Sequence, residues 1–317
     1  MDHYLAVHPD IFMARKEMHF FGSDLRFGSQ FYRRDHAAFL AEFEAANGRR
    51  RAGESSVWYL FSERAAGEMK AFNPDAQVII MLRNPVEMIH SLYYQFTFDG
   101  NEHLPTFAEA IAAEGDRRAG RRLGRQHYFT QGLVYHDIVR FTRQVERYFN
   151  TFGRDRVHVI IYDDFAADPD AVYRRTLEFL GVAHVPIQNG ARVINGNKHV
   201  KNPVLRTILN DPAVRRSLLA IRPWLPQHVF KALGKVDARL RKLNTVPAAR
   251  QALDPGLRRR LDEEFAPEVE RLSALLGRDL TGWSKDARWH KDIDTPAFVP
   301  EAARPQEECG ERAVGVA

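Results

Sequence analysis

The sequence predicts an α/β fold in which a mainly parallel sheet is flanked by helices. Short runs rich in β-branched residues alternate with amphipathic segments of helical period, an order that favours parallel strands joined by crossover helices. Residues 77–82 form a continuous aliphatic run, which is typical of a strand that is buried on both faces. Asn84-Pro85 follows and supplies an N-cap asparagine and an N1 proline, so a helix is expected to begin there.

Each further element has its own local signal. A second aliphatic run at 157–162 predicts a strand, and shorter strands are predicted at 11–13 and 57–60. Residues 201–245 form a basic amphipathic segment that is interrupted at Pro223 and Pro226, and Gly181 is expected to end the helix before it. Apolar residues at helical spacing predict helices at 84–96, 106–114, 131–150, 170–180 and 255–276.

The length and composition are those of one globular domain followed by a tail. The chain has 317 residues, of which 44% are hydrophobic and 27% are charged, as in ordinary soluble enzymes. We assign residues 1–285 to a single domain. We predict that residues 286–317 form a C-terminal extension, disordered from about residue 300, because this part is rich in Pro, Glu, Arg and Gly and has no periodicity. The sequence does not indicate an oligomeric state.

Composition argues against several classes of protein. The apolar run at 78–82 is far shorter than the roughly 18 residues of a transmembrane segment. No charged segment followed by an apolar stretch opens the chain and Cys309 is its single cysteine, so we expect no signal peptide, no internal disulfide and a cytoplasmic location. The net charge of +5 fits a nucleic acid or a cleft for a small polyanion. No basic–aromatic repeat stands out, so we predict no nucleic-acid partner.

The first chemically informative unit joins the strand at 77–82 to the helix after it. Arg83 lies at the carboxyl end of this strand, where open α/β sheets bind ligands, and the helix N-terminus that follows adds N–H donors and a favourable dipole. The fork of an arginine suits bidentate contact with a phosphate. The plainer alternative is an arginine that forms an ion pair at the end of a strand.

Two further units contain candidate catalytic groups. They read Lys16-Glu17-Met18-His19-Phe20-Phe21 and Gly53-Glu54-Ser55-Ser56-Val57-Trp58-Tyr59-Leu60. A carboxylate can take the proton of a hydroxyl group during group transfer, which an alcohol needs because it is a poor nucleophile. The alternative for the first unit is an exposed Lys–Glu pair with the histidine packed beside core phenylalanines. The alternative for the aromatic pair of the second unit is a place in the core.

Together these units resemble sulfotransferases that use 3′-phosphoadenylyl sulfate (PAPS), in particular bacterial and heparan-sulfate members. The resemblance extends over roughly residues 1–285 and includes the strand–helix unit at 157–182 and the C-terminal helix. It implies a fold similar to that of the P-loop NTPases. It also implies transfer of a sulfuryl group from PAPS to an acceptor hydroxyl. A carbohydrate is favoured, and a lipid headgroup or a small metabolite stays open as the acceptor.

For the nucleotide, the resemblance implies five binding residues. Arg83 and Ser91 match the arginine of the family and the serine eight positions after it, which bind the 3′-phosphate. Asn197, Lys198 and Lys201 occupy the place of a basic loop that covers the nucleotide in the family. A basic surface loop that serves solubility alone is an equally good interpretation of that segment.

For the acceptor, the resemblance implies one general base and several neighbours. Glu17 matches the glutamate that deprotonates the acceptor hydroxyl, and His19 lies next to it in the acceptor site. Lys16, Trp58 and Tyr59 are expected to contact the acceptor or to border its cleft.

The chain departs from the family pattern at its beginning. In the family, a strand and a Gly-rich loop that holds the 5′-phosphosulfate precede the helix that ends near His8, whereas this sequence begins with Met1 inside that helix. We therefore expect the fold to lack its first strand and its P-loop. Two explanations stay open: a start that is assigned too late, or a natural truncation that binds the nucleotide without turnover.

Two rivals to an active sulfotransferase follow from this departure. One is a catalytically inactive relic that still binds the nucleotide. The other is a phosphotransferase of similar fold, which would need a Gly-Lys-Ser/Thr loop and a magnesium carboxylate, and the sequence offers neither. Because His, Cys and carboxylates do not fall at ligand spacings, we expect no metal, and PAPS is the one co-substrate implied.

Overall fold

A computed structural model of the chain describes residues 1–284, apart from 29–33, 125–126, 188–197, 248–251 and most positions between 203 and 242. The predicted C-terminal extension, Asn197 and most of the basic segment 201–245 lie outside the described residues. Parallel strand pairs surrounded by helices form the fold, which confirms the predicted α/β class.

The strands of the described residues associate in pairs. β1 and β2 are parallel, β3 and β4 are parallel, and β5 and β6 are antiparallel. The predicted parallel pairing is therefore confirmed, although the described strands form separate pairs and not one continuous sheet. Their bounds are β1 (Ile11–Met13), β2 (Arg51–Gly53), β3 (Val78–Leu82), β4 (Val157–Ile161), β5 (Lys198–Val200) and β6 (Thr245–Pro247).

The strand predicted at 57–60 is wrong. These residues form turns, in which the N–H of Ser62 donates to the carbonyl of Trp58 at 3.1 Å, and the strand lies earlier, at β2. Trp58 and Tyr59 are both buried although they are neighbours in sequence. A strand would point them to opposite faces, whereas a turn brings both rings into the interior, so β-propensity alone predicts the wrong element here.

The helices that the structure describes surround the two parallel pairs. None of them is both long enough and apolar enough to span a bilayer. Short 3₁₀ turns lie at Glu44–Ala46, Gln131–Leu133, Arg154–Arg156 and Thr281–Ser284. The helices are α1 (Asp2–Leu5), α2 (His36–Ala41), α3 (Ala65–Phe72), α4 (Pro85–Asp99), α5 (Phe107–Ala112), α6 (Glu114–Arg118), α7 (Tyr135–Ile138), α8 (Phe141–Phe152), α9 (Tyr162–Ala167), α10 (Pro169–Leu180) and α11 (Pro255–Leu276).

Caps explain where the predicted helices begin and end. The side chain of Asn84 accepts hydrogen bonds from the N–H groups of Val86 (2.9 Å) and Glu87 (3.2 Å), which starts α4 as predicted. Gly100 ends α4 at φ 86°, a left-handed conformation that glycine adopts without strain. Gly181 ends α10 in the same way at φ 66°, as predicted.

The single helix predicted at 131–150 is wrong, because the segment divides into a 3₁₀ turn, α7 and α8. Arg140 separates the two helices and has a non-helical ψ of 59°. The side-chain amide of Gln144 donates to the carbonyls of Asp137 (3.3 Å) and Ile138 (3.1 Å), which replaces helical backbone donors at these positions. A glutamine is an ordinary helix residue, so this break has no local signal in the sequence.

The main core lies between the β3–β4 pair and the helices α4, α8 and α11. Leu82, Ile89, Val145 and Leu261 have no exposed surface there. A smaller cluster packs α1 and β1 against α10. The carboxyl ends of β3 and β4 coincide, since Leu82 pairs with Ile161, so residues that follow these strands meet at one edge.

Candidate active site

Glu17 and His19 both have left-handed backbone conformations, with φ of 58° and 49°. Such conformations are uncommon in non-glycine residues and store roughly 1–3 kcal/mol each, so surrounding contacts must enforce them. In this geometry Glu17 Oε2 lies 3.1 Å from His19 Nε2. The backbone thus brings together the two residues that the sequence places in the acceptor site.

The segment 55–57 enforces this conformation through three hydrogen bonds. The N–H of Glu17 donates to the carbonyl of Ser55 at 2.9 Å, and the N–H of His19 donates to Ser56 Oγ at 2.9 Å. The N–H of Val57 donates to Glu17 Oε2 at 3.2 Å, so the carboxylate is fixed as well as the backbone. The two motifs that the sequence analysis singled out therefore form one structural unit, which we call the acceptor-side unit (residues 16–19 and 54–59).

The two side chains of the pair differ in accessibility. The side chain of Glu17 is 39% exposed, whereas that of His19 is 11% exposed. The His19 ring stacks on Phe27 with centroids 5.1 Å apart and meets the edge of the Tyr59 ring at 6.4 Å. The carboxylate can therefore meet a substrate while the imidazole behind it keeps one orientation.

Glu54 belongs to this unit, although the sequence analysis gave it no role. It directly follows β2, and its Oε2 accepts a hydrogen bond from Ser56 Oγ at 2.9 Å. Burial raises the pKa of the Glu54 carboxyl against the opposing effect of hydrogen bonds from Tyr59 and Ser56. A place directly after a strand was the signal that could have identified it. Predicting the strand at 57–60 concealed that signal.

The other predicted acceptor residues lie at different depths. Lys16 is at the surface, where its Nζ is 3.7 Å from Asp2 Oδ2. Tyr59 is buried, and burial together with the neighbouring Glu54 carboxyl raises the pKa of its phenol. Trp58 lies in the main core, with its ring centroid 4.4 Å from that of Phe129, which matches the core interpretation of this residue.

Arg83 directly follows β3, as predicted, at the edge where parallel sheets bind ligands. Its Nη2 lies 3.3 Å from Glu87 Oε2, and its guanidinium packs 5.0 Å from the ring centroid of Tyr162, which follows β4. Arg258 binds the other oxygen of Glu87 at 2.5 Å. The ion pair of the plainer interpretation is thus present, while the Arg83 side chain keeps 19% of its surface exposed.

Ser91 lies on the face of α4 that Arg83 contacts. Glu87, the partner of Arg83, precedes Ser91 by one helical turn, and residues at this spacing lie one above the other. β5, which contains Lys198, packs near α4, and the exposed Lys201 follows it. Arg83 and Ser91 therefore lie on one side of α4, and the described part of the basic loop contacts this helix through β5.

An aromatic contact connects the acceptor-side unit to α4. The ring of Trp58 stacks on Phe96 with centroids 5.8 Å apart, and Val57, its neighbour, holds Glu17. The described residues offer an accessible proton acceptor at Glu17 and, separately, a cationic group at the carboxyl end of β3, Arg83. Over the described residues, no group of three or more His, Cys, Asp or Glu is placed to hold a metal ion.

Comparison with known proteins identifies the class. A sequence profile described as the sulfotransferase family matches residues 29–186. The crystal structure of a sulfotransferase from Alicyclobacillus acidocaldarius is similar at 31% identity and a TM-score of 0.61, covering 89% of this chain and 92% of that one. A sulfotransferase domain from the curacin biosynthetic pathway is 15% identical over 50% of each chain, with a TM-score of 0.32 that supports no argument. The chain belongs to the sulfotransferase family, and the fold expected from the sequence is confirmed.

The match to the sulfotransferase profile covers only one part of the candidate site. The matched residues include Arg83 and Ser91 and begin after Glu17 and His19. Neither comparison assigns a role to a residue or names an acceptor for this chain. Support for the acceptor-side unit therefore comes from its geometry.

Proposed function

We propose that the protein transfers a sulfuryl group from PAPS to a hydroxyl group of a carbohydrate acceptor. Membership of the sulfotransferase family supports the class of reaction. The observation that carries the proposal is the Glu17–His19 pair, in which two strained backbone conformations hold an exposed carboxylate against a buried imidazole. Strain of this kind concentrates where a side chain must keep one orientation for chemistry.

Glu17 is the general base in this reaction. Its carboxylate takes the proton of the acceptor hydroxyl while the new oxygen–sulfur bond forms and the bond from sulfur to the 5′-phosphate oxygen of PAPS breaks. The products are the sulfate ester and adenosine 3′,5′-bisphosphate, and the protonated Glu17 returns its proton to water. His19 restrains the carboxylate through the 3.1 Å contact, since its ring is stacked on Phe27.

The carboxyl end of β3 binds the 3′-phosphate of the nucleotide. A phosphate there meets the Arg83 guanidinium, the Ser91 hydroxyl and the N-terminus of α4, whose dipole favours an anion. Because Arg83 is paired with Glu87, the phosphate competes with this carboxylate for the guanidinium. The remaining nucleotide-binding residues that we propose are Asn197, Lys198 and Lys201.

The acceptor lies against the exposed face of the acceptor-side unit. Lys16 is placed at its rim and carries a charge that suits a polar or acidic acceptor. Tyr59 and Trp58 are both buried, so they lie behind the surface that the acceptor contacts and support residues 55–57. These roles follow from the difference in burial. The exposed Lys16 contacts the acceptor directly, while the two buried aromatic residues give the site its shape.

Transfer from PAPS to chitin, heparosan and chondroitin oligosaccharides, read as the mass gain of one sulfuryl group, tests the proposal. Glu17→Gln keeps the shape of the side chain and removes the proton acceptor. We expect kcat to fall by a factor on the order of 10²–10⁴, with unchanged affinity for adenosine 3′,5′-bisphosphate. Glu146→Gln alters an exposed carboxylate on α8 outside the site and serves as the matched control with full activity.

The outcomes separate the proposal from its rivals. Full activity of Glu17→Gln would exclude Glu17 as the base. Nucleotide binding without transfer to any saccharide would contradict the carbohydrate acceptor and favour the inactive relic. Phosphoryl transfer from a nucleoside triphosphate would favour the phosphotransferase.

A further inference from the structure

Glu54 is a carboxylate that the proposed reaction does not use. It directly follows β2, and its Oε2 accepts a hydrogen bond from Ser56 Oγ at 2.9 Å. Its other oxygen, Oε1, is buried and accepts no well-formed hydrogen bond from the residues that the structure describes. Burying a carboxylate oxygen in this way costs free energy of folding, so a role in stability does not account for Glu54.

The first group that Glu54 orients is the hydroxyl of Ser56. A serine hydroxyl has one proton to donate and two lone pairs that accept. Because the proton of Ser56 points at Glu54 Oε2, a lone pair is left for the N–H of His19, which donates to Oγ at 2.9 Å. Without the carboxylate, the hydroxyl is free to rotate, and a proton turned toward His19 repels this N–H.

The second group is the phenol of Tyr59. Its oxygen accepts the N–H of Phe21 at 3.3 Å, and the phenol also interacts with the Glu54 carboxyl. Burial and the neighbouring Glu54 raise the pKa of Tyr59, so the phenol keeps its proton and stays a donor to this carboxyl. The hydroxyl of Tyr148 donates to the backbone carbonyl of Tyr59 at 2.8 Å, which fixes Tyr59 in the core. Glu54 therefore sets the direction of a second hydroxyl group.

These two hydroxyls hold the segment that carries the proposed base. The N–H groups of residues 17, 19 and 21 all donate to the segment 55–59, and two of their three acceptors are the hydroxyls that Glu54 orients. The left-handed conformations of Glu17 and His19 are strained, so they persist only while such contacts enforce them. Loss of these contacts releases Glu17 from the place in which its carboxylate accepts the N–H of Val57.

We propose that Glu54 is a positioning residue for the transfer reaction: it orients the hydroxyls of Ser56 and Tyr59, which hold the backbone that directs Glu17 at the acceptor. This inference rests on the proposed role of Glu17 as the general base and adds a residue that acts on it through other groups. A displacement of about 1 Å in a reacting group lowers a rate on the order of 100-fold, so small movements of Glu17 matter.

Kinetics of the Glu54 variants test the proposal in the saccharide transfer assay. Glu54→Leu removes both acceptor contacts, and we expect kcat to fall roughly 100-fold with an unchanged KM for PAPS. Glu54→Gln keeps one acceptor oxygen and should lose less, roughly tenfold. Because the buried Oε1 lacks a well-formed bond, the thermal unfolding temperature of both variants should stay at or above that of the wild type. A purely structural role predicts a lower unfolding temperature instead.

A serine outside the site provides the matched control. Ser273 Oγ donates to the carbonyl of Val269 at 2.7 Å and accepts the N–H of Leu280 at 3.0 Å, so it also joins an oxygen acceptor to a backbone N–H. Ser56→Ala should lower kcat roughly tenfold, whereas Ser273→Ala should leave it unchanged.

Hydrogen exchange tests the positioning independently of turnover. In Glu54→Leu, the N–H groups of His19 and Phe21 should exchange roughly tenfold faster than in the wild type, because both lose an oriented acceptor. The N–H groups of β4 should exchange at the rate of the wild type and serve as the internal reference.

The two measurements separate this inference from the proposed function. Unchanged kcat and unchanged exchange at residues 19 and 21 in Glu54→Leu would overturn the positioning role while sulfotransfer stands. A fall in kcat that only follows a lower unfolding temperature would overturn it as well. If the wild type transfers no sulfuryl group, the proposed function fails and exchange alone decides the inference. Faster exchange at 19 and 21 then keeps Glu54 as the residue that orients this segment, and unchanged exchange overturns it.

Discussion

Two arginine–glutamate pairs in this molecule have the same chemistry and different surroundings. Arg117 Nη2 lies 2.7 Å from Glu102 Oε1, and neither side chain has exposed surface. The other oxygen of Glu102 accepts the hydroxyl of Tyr135 at 2.8 Å, so the protein itself occupies this carboxylate. Arg83 and Glu87 lie 3.3 Å apart at the carboxyl end of β3, each with 19% of its side chain exposed.

Position and burial, more than residue type, decide what such an arginine–glutamate pair does. The Arg117–Glu102 pair is enclosed by the core and holds α6 to the segment after α4. The Arg83–Glu87 pair opens toward solvent beside a helix N-terminus, where an anion is favoured. We therefore assign the first pair to stability and the second to ligand binding.

Removing Arg117 should destabilise the fold more than any other change considered. Arg117→Met leaves the buried Glu102 carboxylate without its cation, and breaking a buried pair in this way costs roughly 3–5 kcal/mol of unfolding free energy. Urea denaturation measures the loss. The double variant Arg117→Met/Glu102→Leu should recover much of the stability, because no uncompensated charge is left. A loss below about 1 kcal/mol in the single variant would contradict the structural role.

Replacing Asn84 should have the next largest effect, on the helix that begins at the proposed phosphate site. Asn84→Ala removes the N-cap of α4 and also the bond from Nδ2 to the carbonyl of Trp283 (2.8 Å), so we expect a loss of about 1–2 kcal/mol. Asn84→Ser keeps a capping oxygen and should lose less. Equal stability of the Ala and Ser variants in urea denaturation would show that the cap is unimportant.

Replacing Arg83 should affect stability less than replacing Arg117 does. In Arg83→Met, Glu87 keeps its contact with Arg258, so no carboxylate is stranded and we expect a loss of only about 1 kcal/mol. The same denaturation experiment provides the measurement. A loss as large as that of Arg117→Met would place both pairs in the structural class and would break the comparison.

His136 provides a third case, of intermediate burial, in which a charge pair responds to pH. Its Nδ1 lies 2.9 Å from Glu114 Oε1 and its Nε2 lies 3.2 Å from Glu264 Oε1, which links α6 and α7 to α11. Burial acts to lower the pKa of His136, but the two carboxylates outweigh burial and raise it.

A raised folded-state pKa fixes the sign of the pH effect. The contribution of His136 to stability is fully present below its unfolded pKa near 6.5 and is lost as the pH rises through its folded pKa. We expect the unfolding free energy of the wild type to fall by less than about 1 kcal/mol over this window, and His136→Gln to remove this part of the dependence. His184→Gln, at an exposed position, is the control. An unchanged pH dependence in His136→Gln would contradict the assignment.

The sequence predicts well those features that depend on neighbouring residues. The cap at Asn84, the glycine at 181 and the aliphatic runs of β3 and β4 are local, and each lies where it was expected. The place of Arg83 at the strand end follows from them, because a strand and a helix joined by one turn leave little freedom.

Features that depend on distant residues could not be predicted. The left-handed conformations of Glu17 and His19 result from hydrogen bonds with residues 55–57, and no local pattern in the sequence announces them. Five arginines from three separate segments, Arg26, Arg64 and those at 140, 143 and 147, line one cavity of about 690 Å³. Only the arginines of 140–147 share a recognisable spacing, so this cluster of arginines became visible when the segments were brought together.

The most direct test of the account is calorimetric titration of adenosine 3′,5′-bisphosphate against the wild type, Arg83→Ala and Arg156→Ala. Arg156 directly precedes β4, at the opposite end of the β3–β4 pair, and pairs with Asp75 at 3.0 Å, so it controls for the loss of one arginine. We predict that Arg83→Ala weakens binding by roughly 10- to 100-fold and that Arg156→Ala leaves it unchanged. Unchanged affinity in Arg83→Ala, or an equal loss in both variants, would contradict a phosphate site at the carboxyl end of β3.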